Sequence, residues 1–211
     1  YSDTQRFGNA YEDLAQLGKE GVVFRGVKQL DNTGWTMAGM VASQCGVPLM
    51  PAGLMHDNQF EPLSDVLPGV NCLGDLLHER GYDLTYMGGA STKFAGKAKF
   101  YQGHGFDTAL GRDELEDKAP AGYLNDWGLY DDTLLGLAEK RIRHLHDSDK
   151  PYAFFGLTLA GHPPFGNPSQ SCIDNQGPFD GTDILYSIKC TGWLVRNFIE
   201  RLRSEGLLDN T

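Results

Sequence analysis

The stretch that decides the fold is YAFFGLTL, residues 152–159, which directly follows Pro151. Eight residues are far fewer than the roughly 18 to 20 that cross a membrane, and they suit a strand. No charged residue interrupts the run, as is typical of a central parallel strand buried on both faces. His162 follows this strand, and ligands of open α/β sheets bind beyond the carboxyl ends of strands. A functional residue is therefore expected at this exit.

Helices and strands alternate on both sides of this run. Residues 82–87 and 22–27 are apolar stretches bounded by turn signals, and each is predicted to form a strand. Apolar residues at helical spacing predict helices at residues 11–20, 35–45, 72–80, 93–102, 129–146 and 182–205. This order predicts one α/β domain over residues 1–211, with helices on both faces of a mostly parallel sheet.

The composition excludes some function classes. The chain has 18 Lys and Arg against 28 Asp and Glu, a formal net charge of -10. An acidic surface repels polyphosphate backbones, so nucleic acid is not an expected partner. The 40% hydrophobic and 22% charged residues are ordinary for a packed globular protein.

A hydroxyl is predicted at the start of a helix in residues 32–39, NTGWTMAG. The glycine spacing is that of a phosphate loop, but Met40 and Val41 stand where Lys and Ser or Thr are required. Helix N-termini attract phosphate, so Thr36 is a candidate to present its oxygen to phosphorus. The alternative is that Thr33 or Thr36 only caps the helix.

Other candidates each have a simpler interpretation from sequence alone. Lys97 is suited to neutralise a phosphate, although a single lysine usually faces water. His162 is suited to contact a ligand, although a histidine in a loop often has only a structural role. Asp131 and Asp132 are most simply explained as acids in the first turn of a helix. The four cysteines, Cys45, Cys72, Cys172 and Cys190, leave three disulfide connectivities open, or four reduced thiols.

Several motifs together carry a resemblance to a known family. Residues 34–49, GWTMAGMVASQCGVPL, resemble the nucleophile segment of the phosphoglycerol transferases that decorate osmoregulated periplasmic glucans. Nearly the whole chain is covered, through residues 71–75, 94–97, 103–107, 125–132 and 157–162. More distantly the chain is similar to lipoteichoic acid synthases, within the alkaline phosphatase/sulfatase superfamily. The resemblance implies a three-layer α/β/α sandwich with a mostly parallel sheet, here incomplete.

The resemblance also implies an activity. Thr36 matches a threonine that is both nucleophile and ligand of one divalent metal, usually manganese. It would take phosphoglycerol from phosphatidylglycerol, release diacylglycerol, and pass the group to a glucan hydroxyl. Lys97 aligns with a residue that grips the substrate phosphate, where arginine is usual and would add a bidentate fork. His162 aligns with a histidine that contacts the phosphoglycerol group.

Two departures from the family pattern shape further expectations. Relatives place a metal-binding glutamate shortly before the position of Tyr1 and an Asp-His pair after that of Thr211. With Thr36 as the one metal ligand retained, we expect this chain to bind metal weakly and to be inactive by itself. A parent enzyme would act at the periplasmic face of the inner membrane, anchored by N-terminal segments.

The expected compartment also bears on the cysteines. An oxidising periplasm implies two disulfides, and the expected pairs are Cys45–Cys72 and Cys172–Cys190. The alternative functions are a phosphoethanolamine transferase, a phosphodiesterase or sulfatase-like hydrolase, or a non-catalytic glycan-binding or sensor module. Sulfate-ester hydrolysis is disfavoured because the motif C-x-P-x-R is missing around Cys45.

Overall fold

A parallel sheet organises the structure, a computed structural model that describes residues 3–31, 33–50, 63–176 and 183–209. In chain order the strands are β1 (Asp83–Gly88), β2 (Thr108–Leu110), β3 (Leu124–Asn125), β4 (Gly128–Leu129) and β5 (Tyr152–Leu157). The parallel sheet has the order β2-β1-β5, and β3 and β4 form a separate antiparallel pair. In the parallel register, Thr85 of β1 lies between Thr108 and Phe154.

Helices connect and cover these strands. They are α1 (Thr4–Phe7), α2 (Glu12–Gly18), α3 (Thr36–Cys45), α4 (Leu73–His78), α5 (Lys97–Gly103), α6 (Arg112–Leu115), α7 (Asp131–His146), α8 (Gln170–Gln176) and α9 (Asp183–Ser204). Short 3₁₀ turns at Phe94–Gly96 and Glu116–Lys118 lead into α5 and follow α6. In the parts of the chain described, no helix combines the length and apolar character that a membrane crossing requires.

The sheet carries a hydrophobic core on each face. Successive side chains of a strand point to opposite faces, and in β1 Leu84 and Tyr86 pack with α3 and α5, whereas Met87 packs with α7 and α9. Thr85 faces the second side as well, where its hydroxyl accepts hydrogen bonds from Arg141 of α7. The predicted α/β architecture, with helices on both faces of a parallel sheet, is confirmed.

The predicted position of the apolar run within the sheet is wrong for the described residues. There β5 pairs with β1 alone and borders the sheet, and its side chains are mostly half-buried, while β1 is central and almost fully buried. An apolar run indicates that both faces of a strand are covered. It carries no information about how many strands lie beside it in the plane of the sheet.

The predicted strand at residues 22–27 is also wrong. These residues form no strand, and Val22, Phe24 and Val27 are 84%, 80% and 79% exposed. Strand propensity describes how well a side chain fits a pleated, half-buried surface, and it becomes a strand only beside a partner. No partner strand lies along this segment in the described structure.

Two disulfides join neighbouring helices. Cys45 at the end of α3 bonds Cys72 before α4, and Cys172 of α8 bonds Cys190 of α9. These are the two expected pairs, so that prediction is confirmed. The bridges close loops of 27 and 18 residues, and such cross-links each stabilise a fold by about 3 kcal/mol in the chain-entropy view.

Candidate functional site

A pocket of about 380 Å³ opens beyond the carboxyl ends of β1 and β5. The three site residues predicted from sequence, Thr36, Lys97 and His162, all line it. The remaining wall is largely apolar and is contributed by Leu14, Met37, Ala90, Phe94, Ala95, Trp127, Leu157, Thr158, Leu159, Gly161, Pro163, Ile188 and Thr191. Residues far apart in sequence therefore meet at the edge where α/β sheets bind ligands.

Thr36 is the first residue of α3 and is exposed to solvent. The preceding Trp35 is extended, and no side chain caps the helix. The hydroxyl of Thr33 donates instead to the Leu30 carbonyl at 2.7 Å. The capping interpretation of both threonines is therefore wrong. The first amide groups of a helix have no intrahelical acceptors, so they and the helix dipole favour an anion beside Thr36.

Lys97 is buried, with 4% of its surface exposed, and the interpretation as a solvated lysine is wrong. Ala95 and Gly96 both have left-handed backbone, with φ of 59° and 72°, and this double turn starts α5 at Lys97. The Nζ atom lies 5.2 Å from the centroid of the Phe94 ring. Burial lowers the pKa of Lys97 to about 8, so the ammonium still predominates at neutral pH.

His162 is half-buried at the mouth of the pocket. Its Nδ1 atom lies 2.7 Å from the Pro163 carbonyl oxygen. A carbonyl can only accept a hydrogen bond, so Nδ1 donates, and Nε2 of the neutral ring is left as an acceptor. The imidazole lies against the indole of Trp127, with ring centroids 4.0 Å apart.

Trp127 is a pocket residue that the sequence analysis missed. It sits in the tight turn between β3 and β4, where the Asn125 Oδ1 atom accepts from the amides of Trp127 and Gly128 at 2.9 and 3.0 Å. Gly128 has φ of 147°, and a Cβ there would lie 2.0 Å from the Gly89 carbonyl oxygen. Only glycine permits this close approach, which holds the turn against the end of β1.

Asp131 and Asp132 lie in the first turn of α7, as predicted, but Asp131 also makes buried contacts that this prediction did not include. Asp131 is fully buried, and its carboxylate accepts hydrogen bonds from the amides of Leu159 at 2.6 Å and Ala160 at 3.2 Å and from the Thr191 hydroxyl at 2.8 Å. Desolvation raises the pKa of this carboxyl, although the three hydrogen bonds oppose that rise. The neighbouring Asp132 bonds elsewhere, accepting from the Tyr123 hydroxyl at 2.9 Å.

The described lining of the pocket does not fit a divalent metal by itself. His162 and the hydroxyls of Thr36, Thr158 and Thr191 are neutral ligand groups, and no carboxylate or thiolate lines the pocket. Manganese and similar ions prefer several oxygen or nitrogen ligands, usually with carboxylates among them. The resemblance implies a divalent metal, and the described lining of the pocket lacks most of the ligands for one.

Elsewhere in the described chain, Cys72, Asp75 and His104 place potential ligand atoms within 4.8 Å of one another. All three are already engaged. The Cys72 sulfur belongs to a disulfide, and the Asp75 Oδ2 atom lies 2.8 Å from both the Cys72 amide and His104 Nδ1. His104 Nε2 contacts the Val66 carbonyl at 2.9 Å. This group is a structural cluster that ties α5 to α4.

Comparison with known proteins extends the geometric description. A family model described as Sulfatase matches residues 2–211. Phosphoglycerol transferase I from Citrobacter koseri and from Escherichia coli SMS-3-5 are each 36% identical over 214 residues, which cover 100% of this chain and 28% of each relative. The chain thus spans about a quarter of the length of these relatives.

Solved structures show the same fold at lower identity. An alkaline phosphatase superfamily protein from Vibrio parahaemolyticus superposes with a TM-score of 0.61 at 23% identity, over 78% of this chain and 38% of that one. The lipoteichoic acid synthase LtaP from Listeria monocytogenes gives a TM-score of 0.61 at 14% identity, over 85% and 42%. The resemblance found in the sequence is confirmed, and the chain belongs to the sulfatase family, on its alkaline phosphatase-like fold.

Proposed function

We propose that this chain forms part of a phosphoglycerol transferase that moves phosphoglycerol from phosphatidylglycerol to a periplasmic glucan. The observation that carries the proposal is the meeting of Thr36, Lys97 and His162 in one pocket. The relatives named phosphoglycerol transferase I support the same chemistry. In a chain with a net charge of -10, a pocket lined by a lysine and no carboxylate is a favourable place for a phosphodiester.

The first proposed step is displacement at phosphorus by Thr36. Its hydroxyl oxygen forms a bond to phosphorus while the bond from phosphorus to the diacylglycerol oxygen breaks. The threonine proton ends on that leaving oxygen, so diacylglycerol departs as an alcohol. The ammonium of Lys97 and the N-terminus of α3 hold the phosphoryl oxygens, whose negative charge is retained throughout.

In the second proposed step a glucan hydroxyl oxygen bonds to phosphorus while the bond from phosphorus to the Thr36 oxygen breaks, and the glucan proton ends on that oxygen. The Nε2 atom of His162 is available to accept a hydrogen bond from a hydroxyl, either of the glycerol or of the acceptor. A second cavity of about 390 Å³ shares Ala90, Phe94 and Trp127 with the pocket. It is lined by polar side chains suited to sugar hydroxyls, namely Ser91, Arg112, Asp113, Glu116 and Asp126.

We propose manganese as the divalent metal of the site, with Thr36 as the metal ligand in the described pocket. A bound dication would lower the pKa of an alcohol and neutralise charge on the phosphoryl oxygens. Since the described pocket lacks the other ligands, we propose that the 211-residue chain binds manganese weakly and is inactive alone. Isothermal titration of this chain with manganese tests the point, and a micromolar Thr36-dependent site would overturn it.

The proposed location is the periplasmic face of the inner membrane, within a longer protein anchored there. Two disulfides among the described residues suit an oxidising compartment, and the donor is a membrane lipid. Sulfate-ester hydrolysis is not part of the proposal despite the family name. The sulfatase motif C-x-P-x-R needs a cysteine that can be modified, and the sulfur of Cys45 is bonded to Cys72.

A labelling experiment on the full-length protein tests the proposed function. Headgroup-labelled phosphatidylglycerol and manganese should leave covalent label on the wild type and on Thr36→Ser, and none on Thr36→Ala. Thr33→Ala is the matched control, because its hydroxyl donates to a turn carbonyl and it should keep the label. Label retained by Thr36→Ala, or absent from the wild type, would reject the proposed nucleophile.

A further inference from the structure

One carboxylate holds the backbone of the turn that carries His162. Leu159 and Ala160 are the first residues of that turn, and both of their amides donate to Asp131. The His162 amide in turn donates to the Leu159 carbonyl at 3.1 Å, and the Asn167 amide donates to the Ala160 carbonyl at 2.7 Å. The two residues whose amides bind Asp131 are therefore the same two whose carbonyls hold His162 and Asn167.

The same carboxylate also reaches the opposite wall of the pocket. Thr191 of α9 lines the pocket and donates its hydroxyl to Asp131 Oδ2 at 2.8 Å. Asp131 is itself the first residue of α7, two positions after the β4 strand that follows Trp127. The β5 exit and α9 thus both bind one side chain, and the residue that carries it follows the β3–β4 hairpin.

From this convergence we propose that Asp131 is a positioning residue for His162. It fixes the exit of β5 so that the imidazole stays against Trp127 and its Nε2 atom stays at the mouth of the pocket. Asp131 does not line the pocket and acts only through the turn. The proposal deepens the proposed function and rests on it for the identity of the ligand, while the position of the ring is independent of any reaction.

The chemistry of the site requires a carboxylate rather than an amide. Two backbone amides and one hydroxyl donate to Asp131, and an ionised carboxylate has two acceptor oxygens for them. An asparagine would offer one acceptor oxygen and turn an NH₂ group toward donors. Burial of a carboxylate without partners is costly, and these charge-assisted hydrogen bonds offset that cost. Asp131→Asn should therefore release the turn without changing the size of the side chain.

The chain offers a matched control in the next residue. Asp132 lies in the same first turn of α7, and Asp132→Asn removes the same charge. Its partners are Tyr123, Thr133, Ser169 and Ser171, and none of them belongs to residues 158–162. A general loss of negative charge at the start of α7 would affect both variants equally, whereas positioning of His162 concerns Asp131 alone.

The test measures the ring contact directly in the 211-residue chain. In a Trp35→Phe, Trp193→Phe background, the emission of Trp127 reports the imidazole beside it, and nuclear Overhauser contacts join the two rings. Asp131→Asn should lose these contacts and change the emission of Trp127, while Asp132→Asn should keep the contacts and the wild-type emission. Glycerol 1-phosphate should bind Asp131→Asn about tenfold more weakly than wild type or Asp132→Asn.

Other results would overturn either the positioning role of Asp131 or the proposed function. Ring contacts and affinity that survive in Asp131→Asn, or that fall equally in Asp132→Asn, would overturn the positioning role. If Asp131→Asn does not fold, Thr191→Val replaces it, because it removes one donor and keeps the shape; unchanged ring contacts in Thr191→Val then reject the proposal. Failure of glycerol 1-phosphate to bind wild type counts against the proposed function, and the ring contacts still decide the role of Asp131.

Discussion

The indole of Trp127 lies against the imidazole of His162, with 4.0 Å between ring centroids and 35° between ring planes. The two side chains arrive from different parts of the fold, one from the β3–β4 turn and the other from the exit of β5. Both side chains line the pocket, and Trp127, which is 39% exposed, also lines the second cavity. Trp127, with Ala90 and Phe94, thus lies between the two cavities, and His162 contacts it from the side of the pocket.

Replacement of Trp127 tests whether this ring contact orients His162. Trp127→Ala should weaken glycerol 1-phosphate binding about fivefold, because the imidazole loses the ring that limits its rotation. Trp127→Phe retains an aromatic face and should stay within about twofold of wild type. Calorimetric titration of the 211-residue chain measures both. Equal affinities for the alanine and phenylalanine variants would show that the ring contact has no role in binding.

The lowered pKa of Lys97 predicts a pH dependence of phosphate binding. The pKa lies at about 8 because the ammonium is buried, so affinity for glycerol 1-phosphate should hold to pH 7.5 and then fall toward about tenfold per pH unit. Lys97→Met should bind weakly at every pH. Lys93→Met is the control, since Lys93 is 71% exposed and pairs with Asp113 outside the pocket. A flat pH profile in wild type would contradict the assignment.

The lowered pKa of Lys97 also predicts how the stability of the protein changes with pH. In the unfolded chain the Lys97 pKa returns to near 10.5, so between pH 8 and 10.5 the unfolded state binds more protons. The contribution of this group to the free energy of unfolding should therefore increase as pH rises through that window. Lys97→Met should remove the increase and stabilise the free protein by about 1 to 3 kcal/mol at pH 7. Urea unfolding at several pH values measures both effects, and a less stable methionine variant would be the opposite result.

The close approach of Gly128 to Gly89 predicts a local steric effect. Gly128→Ala places a methyl group against the Gly89 carbonyl and should cost about 2 to 4 kcal/mol of stability, with displacement of Trp127. Gly136→Ala is the contrasting variant, because it lies inside α7 with nothing within 4 Å of its Cβ position. That change should stabilise the chain by about 0.5 to 1 kcal/mol. Thermal unfolding compares them, and a neutral Gly128→Ala would be inconsistent with the geometry.

The Cys45–Cys72 disulfide joins the end of α3 to the start of α4 and should stabilise the helix that begins at Thr36. Replacing both cysteines by serine should lower the free energy of unfolding by about 2 to 4 kcal/mol. The double variant at Cys172 and Cys190 should cost a similar amount through its shorter loop. Denaturant unfolding under non-reducing conditions measures both, and unchanged stability in either would exclude a structural role for that bridge.

Much of the fold could be predicted from hydrophobic patterns. The spacing of apolar residues predicted most of the helices and two strands of the sheet, because the buried face of each element carries apolar side chains at the period of that element. The edge position of β5 among the described strands and the absence of a strand at residues 22–27 could not be predicted in this way. Both depend on which strands lie alongside, and that is a property of the assembled sheet rather than of any local run.

The candidate site was predictable only in part. Thr36 was recognisable as a hydroxyl at a helix start. Its grouping with Lys97 and His162 came from the family resemblance, because the sequence alone does not show how close such distant positions lie in space. Trp127 and Asp131 were missed as site residues for the same reason. An aspartate opening a helix has a sufficient local explanation, and nothing in its neighbourhood indicates the Leu159 amide that it binds.

We propose that Thr36 carries the phosphoglycerol group, and mass mapping of the trapped intermediate identifies the residue that does so. Full-length protein is mixed with phosphatidylglycerol and manganese, quenched in acid before an acceptor is added, digested and sequenced by mass spectrometry. We expect a phosphoglycerol adduct on Thr36 that disappears when a glucan acceptor is supplied. An adduct on another residue, or transfer to glucan by the Thr36→Ala variant at the wild-type rate, would contradict it.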